Sequence, residues 1–148
     1  FAVTMPSPLP TRPLGIARVA GALPEGFRIL CVDNDPGVLE ALVAIFSRWG
    51  AQVSPAKSMS EACALEGPWD AILADYELAE DGNGLDLIEV LFDSAPIHAL
   101  LAAAPHDAAM ERAARLGIEV IRKPAAPTVL RAFLTRAVQA MPRTFPLR

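Results

Sequence analysis

A chain of 148 residues, 53% of them hydrophobic, is long enough for one ordinary domain with a single core and too apolar for a disordered segment. Its net charge of −4 and pI near 5.1, with no basic stripe, argue against direct nucleic-acid binding. No run approaches the roughly 18 apolar residues of a membrane span. The apolar start is broken by Pro6, Pro8, Pro10, Arg12 and Pro13, unlike a signal peptide. A soluble, cytoplasmic domain without membrane contact is therefore expected. Cys31 and Cys63 lie in apolar segments without CxxC spacing, so both are expected to be buried free thiols in a reducing compartment.

Residues 1–6 alternate like a strand and break at Pro6, and 7–26, rich in proline and small residues, read as a linker. Residues 27–32 form a near-continuous apolar run suited to a buried parallel strand. Asp35 followed by Pro36 reads as a helix N-cap with proline at the first helical position. That helix carries Val38, Leu39, Leu42, Val43, Ile45, Phe46 and Trp49 on a broad apolar face and stops at Gly50. A short, more polar strand at 51–54 is predicted at a sheet edge. Ser58 and Glu61 have capping-box spacing before Ala62, Cys63 and Leu65. A third strand covers 71–74, and Asn83-Gly84 opens a helix with Leu85, Leu87, Ile88, Leu91 and Phe92. Strands at 97–103 and 119–121 enclose an alanine-rich helix over 107–116 closed by Gly117, and a last helix runs from 128 to about 140. Five β-α units predict an α/β fold, a five-stranded parallel sheet doubly wound by helices on both faces.

In such a sheet, ligands bind at the carboxyl ends of the strands. The first strand ends in Asp33-Asn34-Asp35, the third in Asp75, and the fifth leads into Lys123-Pro124. Carboxylates and one amine on a common edge suit a divalent cation and a phosphoryl group. Asp33 and Asp75, on strands expected to be neighbours, are candidate metal ligands, and Lys123 a candidate contact for a phosphoryl oxygen. Each has a plainer alternative. Asp75 alone is an ordinary strand-end turn residue, and Lys123 alone a solvated lysine. Asp35 is a second candidate ligand, but its place before Pro36 favours the cap. The side chain of Glu77 either turns toward the site or faces solvent.

The acid cluster after the first strand, the lone Asp after the third and the Lys-Pro after the fifth resemble the receiver domain of two-component response regulators. The resemblance spans residues 27–140. It implies the flavodoxin-like strand order 2-1-3-4-5. It also implies Asp75 as phosphoacceptor, Asp33 and the backbone carbonyl of Glu77 as Mg²⁺ ligands, Lys123 as the phosphate contact and a cis Lys123-Pro124 bond. The expected partner is a histidine-kinase or histidine-phosphotransfer domain, and the resemblance also admits a homodimer. Residues 1–6 look like the tail of a kinase ATP-binding domain, and the run Cys31-Val32-Asp33-Asn34-Asp35-Pro36 with Asp75-Tyr76 resembles receivers that end hybrid histidine kinases. The parent is then expected to be a sensor kinase, with 141–148 a tail too short for a DNA-binding output domain.

The sequence departs from that pattern at three positions. Asn34 stands where a second adjacent acid is usual, so it is a weak ligand and Mg²⁺ affinity should fall. Ala103 stands where a Thr or Ser is usual, and Val120 where an aromatic residue is usual. A phosphorylation-driven change of shape is therefore expected to be modest. These departures favour one rival, a pseudo-receiver acting as a protein-interaction module. The Asp-x-Asp spacing of Asp33 and Asp35 raises a second, a haloacid-dehalogenase-type phosphatase. The absence of any acid after Lys123 counts against the phosphatase.

Overall fold

The computed structural model describes residues 23–78 and 82–140. The expected strand at 1–6, the linker up to residue 22 and the tail at 141–148 lie outside the described residues. Five strands, β1 (Arg28–Val32), β2 (Gln52–Ala56), β3 (Ala71–Asp75), β4 (Ile97–Ala102) and β5 (Glu119–Arg122), form one parallel sheet in the order β2-β1-β3-β4-β5. Among the described residues five α-helices connect and flank them: α1 (Pro36–Arg48), α2 (Met59–Ala64), α3 (Gly84–Val90), α4 (Asp107–Leu116) and α5 (Pro127–Gln139). The order is that of the flavodoxin-like fold, as the resemblance implies.

The sequence explains the layering. Every residue of β3 and β4 is buried, and β1 is buried from Ile29 onward, so these central strands have no polar face. Their side chains alternate between two cores. Ile29, Cys31, Leu73 and Leu101 pack with Leu42, Phe46, Leu130 and Phe133 on the α1 and α5 side. Leu30, Ile72 and Leu100 pack with Leu85, Ile88 and Ala113 on the other. The outer strand β2 is largely open, as expected for an edge. No helix among the described residues is long and apolar enough to cross a membrane.

Several local readings need correction. Phe92 does not belong to α3; the helix is capped at Leu91, and Phe92–Ser94 is a separate 3-10 turn. Trp49 is the C-cap of α1 rather than part of it. The box at α2 is only half formed. Ser58 accepts from the Glu61 N–H, but the Glu61 carboxylate takes the Lys57 N–H instead of that of Ser58. Strand β4 ends at Ala102, leaving Ala103 exposed beyond it. Cys31 is buried as expected, and burial, reinforced by Asp33, pushes its thiol pKa up. Cys63 is exposed, because the short helix α2 buries only Ala62.

At the sheet edge remote from the strand carboxyl ends, His98 donates from Nε2 to the Phe92 carbonyl at 3.0 Å and stacks on the Phe92 ring. Burial lowers its pKa, and the carbonyls of Phe92 and Ala95 and the charge of Asp93 only partly offset this. The unfolded chain takes up this proton near pH 6.5, while the folded domain resists it. Stability should therefore fall as pH drops below about 6.5, by at most about 1.4 kcal/mol per pH unit. Urea midpoints measured against pH should show that slope in the wild type and lose it in His98→Phe. Parallel curves for the two proteins would refute the assignment.

Candidate functional site

The parallel register sets Val32 beside Ala74, so the next residues, Asp33 and Asp75, leave the sheet together at its carboxyl edge. Asp33 is held on both sides. Its N–H donates to the Ala56 carbonyl at 3.1 Å, and its Oδ1 accepts the Asp35 N–H at 2.9 Å. Asp35 itself caps α1, accepting from the N–H groups of Gly37 and Val38, so the favoured reading of that residue holds. A cap of this type contributes about 1 kcal/mol. At the end of β5, the Lys123 N–H donates to the Ala102 carbonyl, and the Lys123-Pro124 bond is cis, as the resemblance implies.

This arrangement delivers the lysine ammonium onto the two carboxylates. Lys123 Nζ lies 3.1 Å from Asp33 Oδ2 and 3.3 Å from Asp75 Oδ1. Both acids are buried. Burial, then repulsion from Asp33, raises the pKa of Asp75, while Lys123 and a backbone hydrogen bond from Glu77 act the other way. Burial disfavours the charged form of Lys123, but the hydrogen bond and charge of Asp33, aided by Asp75, outweigh it and hold the ammonium pKa above its ordinary value. Two carboxylates therefore share one ammonium, which leaves negative charge on hard oxygen donors. That donor set fits Mg²⁺, which takes a few protein oxygens and keeps water or phosphate oxygens in its other positions.

Asn34 is exposed beside Asp33, and the Glu77 side chain faces solvent while its backbone bonds Asp75. Among the described residues no three His, Cys, Asp or Glu side chains converge as metal ligands, consistent with a neutral Asn34. Residues 102–104 are all alanine, so the end of β4 presents no hydroxyl whichever of them faces the site. Val120 is half-buried against the second core. Gly84 marks a close approach. Its N–H donates to the Tyr76 carbonyl at 2.9 Å, and a Cβ there would clash with the Asp75 carbonyl and meet Leu100 Cδ1 at 2.9 Å.

Two side-chain ties near the site were not anticipated from the sequence. The Tyr76 hydroxyl lies 3.1 Å from His106 Nε2, and His106 Nδ1 accepts the Ala109 N–H as the N-cap of α4. Arg112 of α4 pairs with Asp86 and Glu89 of α3, and Asp86 also closes a capping box with Asn83. Only the Asn83-to-Asp86 spacing was readable in the sequence. Partners 26 and 30 residues apart leave no local pattern.

No protein-family model and no curated protein matches the sequence. Solved structures do. The chain is 30% identical to the non-phosphorylated HemR receiver domain of Leptospira biflexa, covering 82% of this chain and 99% of that one with a TM-score of 0.70. A two-component response regulator of Clostridium difficile matches at 20% identity and TM-score 0.71, covering 78% of this chain and 98% of that one. A CheY-like receiver domain protein of Methanospirillum hungatei matches at 21% and 0.70, with 78% and 96% covered.

Proposed function

This chain belongs to the response-regulator receiver-domain family, and on that footing we propose that it accepts a phosphoryl group from a phosphohistidine onto Asp75. The observation that carries this reading is the pair of buried carboxylates, Asp33 and Asp75, joined by Lys123 at the carboxyl edge of the sheet. In the step, an ionised Asp75 oxygen attacks phosphorus. The N–P bond breaks, its electron pair returns to the imidazole nitrogen, and that nitrogen is protonated from solvent. Little covalent machinery is needed beyond positioning and charge neutralisation. Lys123, already charged and aimed at Asp75, contacts a phosphoryl oxygen as the acyl phosphate forms. Mg²⁺ would be held by Asp33, Asp75 and the Glu77 backbone carbonyl, with Asn34 a weak fourth contact, and when bound it supplies positive charge to the phosphoryl oxygens.

The partner in this reading is a histidine-kinase or histidine-phosphotransfer domain in the cytoplasm. In this reading the parent protein is a hybrid sensor kinase, and a second copy of the domain is a further candidate partner. Phosphorylation by acetyl phosphate and Mg²⁺, read as a mass increase, tests the central claim. Absence of labelling would favour the interaction-module alternative, to which Asn34, the alanines after β4 and Val120 lend weight. Turnover of a generic phosphomonoester would instead favour the phosphatase.

Asn34 yields a quantitative expectation. A carboxylate in its place adds one formal charge beside Asp33, so Asn34→Asp should tighten Mg²⁺ binding by about tenfold. Titration of tryptophan fluorescence or NMR shifts with Mg²⁺ measures it. Identical curves would place residue 34 outside the ion's reach.

A further inference from the structure

We propose that Tyr76 and His106 are positioning residues that govern how long a phosphoryl group survives on Asp75. The proposal rests on the reading of Asp75 as phosphoacceptor. Tyr76 directly follows Asp75, and its N–H is fixed to the Leu101 carbonyl at 2.8 Å. Its half-buried ring packs on the second core, on the face of the sheet opposite to Leu101, the register partner of Asp75. The tyrosine therefore reaches across the segment after β4 rather than over the carboxylate. It meets His106 edge to face, with ring centroids 5.7 Å apart and the hydroxyl bonded to Nε2.

The chemistry of His106 fixes the sense of this bond. Its Nδ1 accepts the Ala109 N–H at 3.2 Å, so Nδ1 carries no proton. In the neutral ring the proton sits on Nε2, which donates to the tyrosine oxygen. One side chain thus caps α4 and ties the segment after β4 to the residue after Asp75. Residues 102–104 between them are alanines without a polar side-chain atom to hold that segment to the site. The tie takes over that holding role. With it broken, the segment spends more time away from the edge and water gains access to the acyl phosphate. Loss of one ordinary hydrogen bond changes such an open fraction by about two- to tenfold.

The test is the lifetime of the phosphorylated domain, made with acetyl phosphate and Mg²⁺, after removal of the donor. Tyr76→Phe keeps the ring and loses the bond. His106→Asn keeps a capping oxygen for the Ala109 N–H and loses the bond. Each should shorten the lifetime by about two- to tenfold, with little loss of thermal stability. The double variant should be no shorter-lived than either single one, the signature of one shared interaction. Nitrogen shifts of His106 should report the Nε2–H form in the wild type and change in Tyr76→Phe. A labelled wild type with unchanged lifetimes in the variants, or with independent, multiplying effects, would overturn the tie while leaving the phosphoacceptor reading intact. A wild type that never takes up phosphoryl would overturn both.

Discussion

Asp75→Asn is expected to remain folded and to lose Mg²⁺-dependent phosphorylation altogether, because an amide oxygen is no nucleophile toward phosphorus under these conditions. The same substitution should raise stability at neutral pH. The folded pKa of Asp75 lies above its unfolded value, so the folded domain holds this proton more tightly than the unfolded chain. Stability is therefore lost as pH rises from the ordinary carboxylate range through the folded value. Asparagine removes that cost and the repulsion with Asp33, while Lys123 keeps its 3.1 Å bond to Asp33. A rise of a few degrees in melting temperature corresponds to about 1 kcal/mol for a domain of this size. Labelling equal to the wild type would place the phosphoryl group elsewhere, and a lower melting temperature would contradict the electrostatic account.

Lys123→Met is expected to have the opposite effect on the fold. Asp33 is wholly buried, and this lysine is its one side-chain cation among the described residues. Removing one partner of a buried pair costs about 3–5 kcal/mol, because the remaining charge has lost its counter-ion. The melting temperature should fall by roughly ten degrees or more. The raised pKa of Lys123 gives the complementary result in the wild type. Its stabilisation is complete below the ordinary lysine pKa and is lost as pH rises through the folded value. Mg²⁺ binding to the folded state should restore part of the loss, so the ion should raise the melting temperature more in Lys123→Met than in the wild type. A variant as stable as the wild type, or indifferent to Mg²⁺, would show that the carboxylates are neutralised in another way.

The large features of this fold were legible because they arise from local pattern. Apolar runs followed by acids or by Lys-Pro marked β1, β3 and β5 and their carboxyl ends, and of these β1 and β3 are buried while β5 is largely open. Asp35 before Pro36 marked the start of α1, and Gly117, in the left-handed conformation, marked the end of α4. The meeting of Asp33, Asp75 and Lys123 followed once the strands were ordered, and that order came from family resemblance rather than periodicity. What stayed hidden depends on distance through space. Nothing near Tyr76 in sequence announces His106, and nothing near Asp86 announces Arg112. Cys63 misled because an apolar neighbourhood in sequence is not burial when the helix buries only one residue, Ala62. Phe92 misled because an apolar side chain continues a helical pattern even where the backbone has already left the helix.

Gly84 bears on how motion at the site travels. Strand and helix usually meet through side chains, which take up small displacements by rotating about their bonds. At the start of α3, main chain lies against main chain, with the Gly84 N–H tied to Tyr76 and no room for a methyl group beside Asp75. A contact without rotamers has no slack. Any shift of the Asp75 backbone must carry the first turn of α3 with it, through a joint whose stiffness comes from the side chain that is missing.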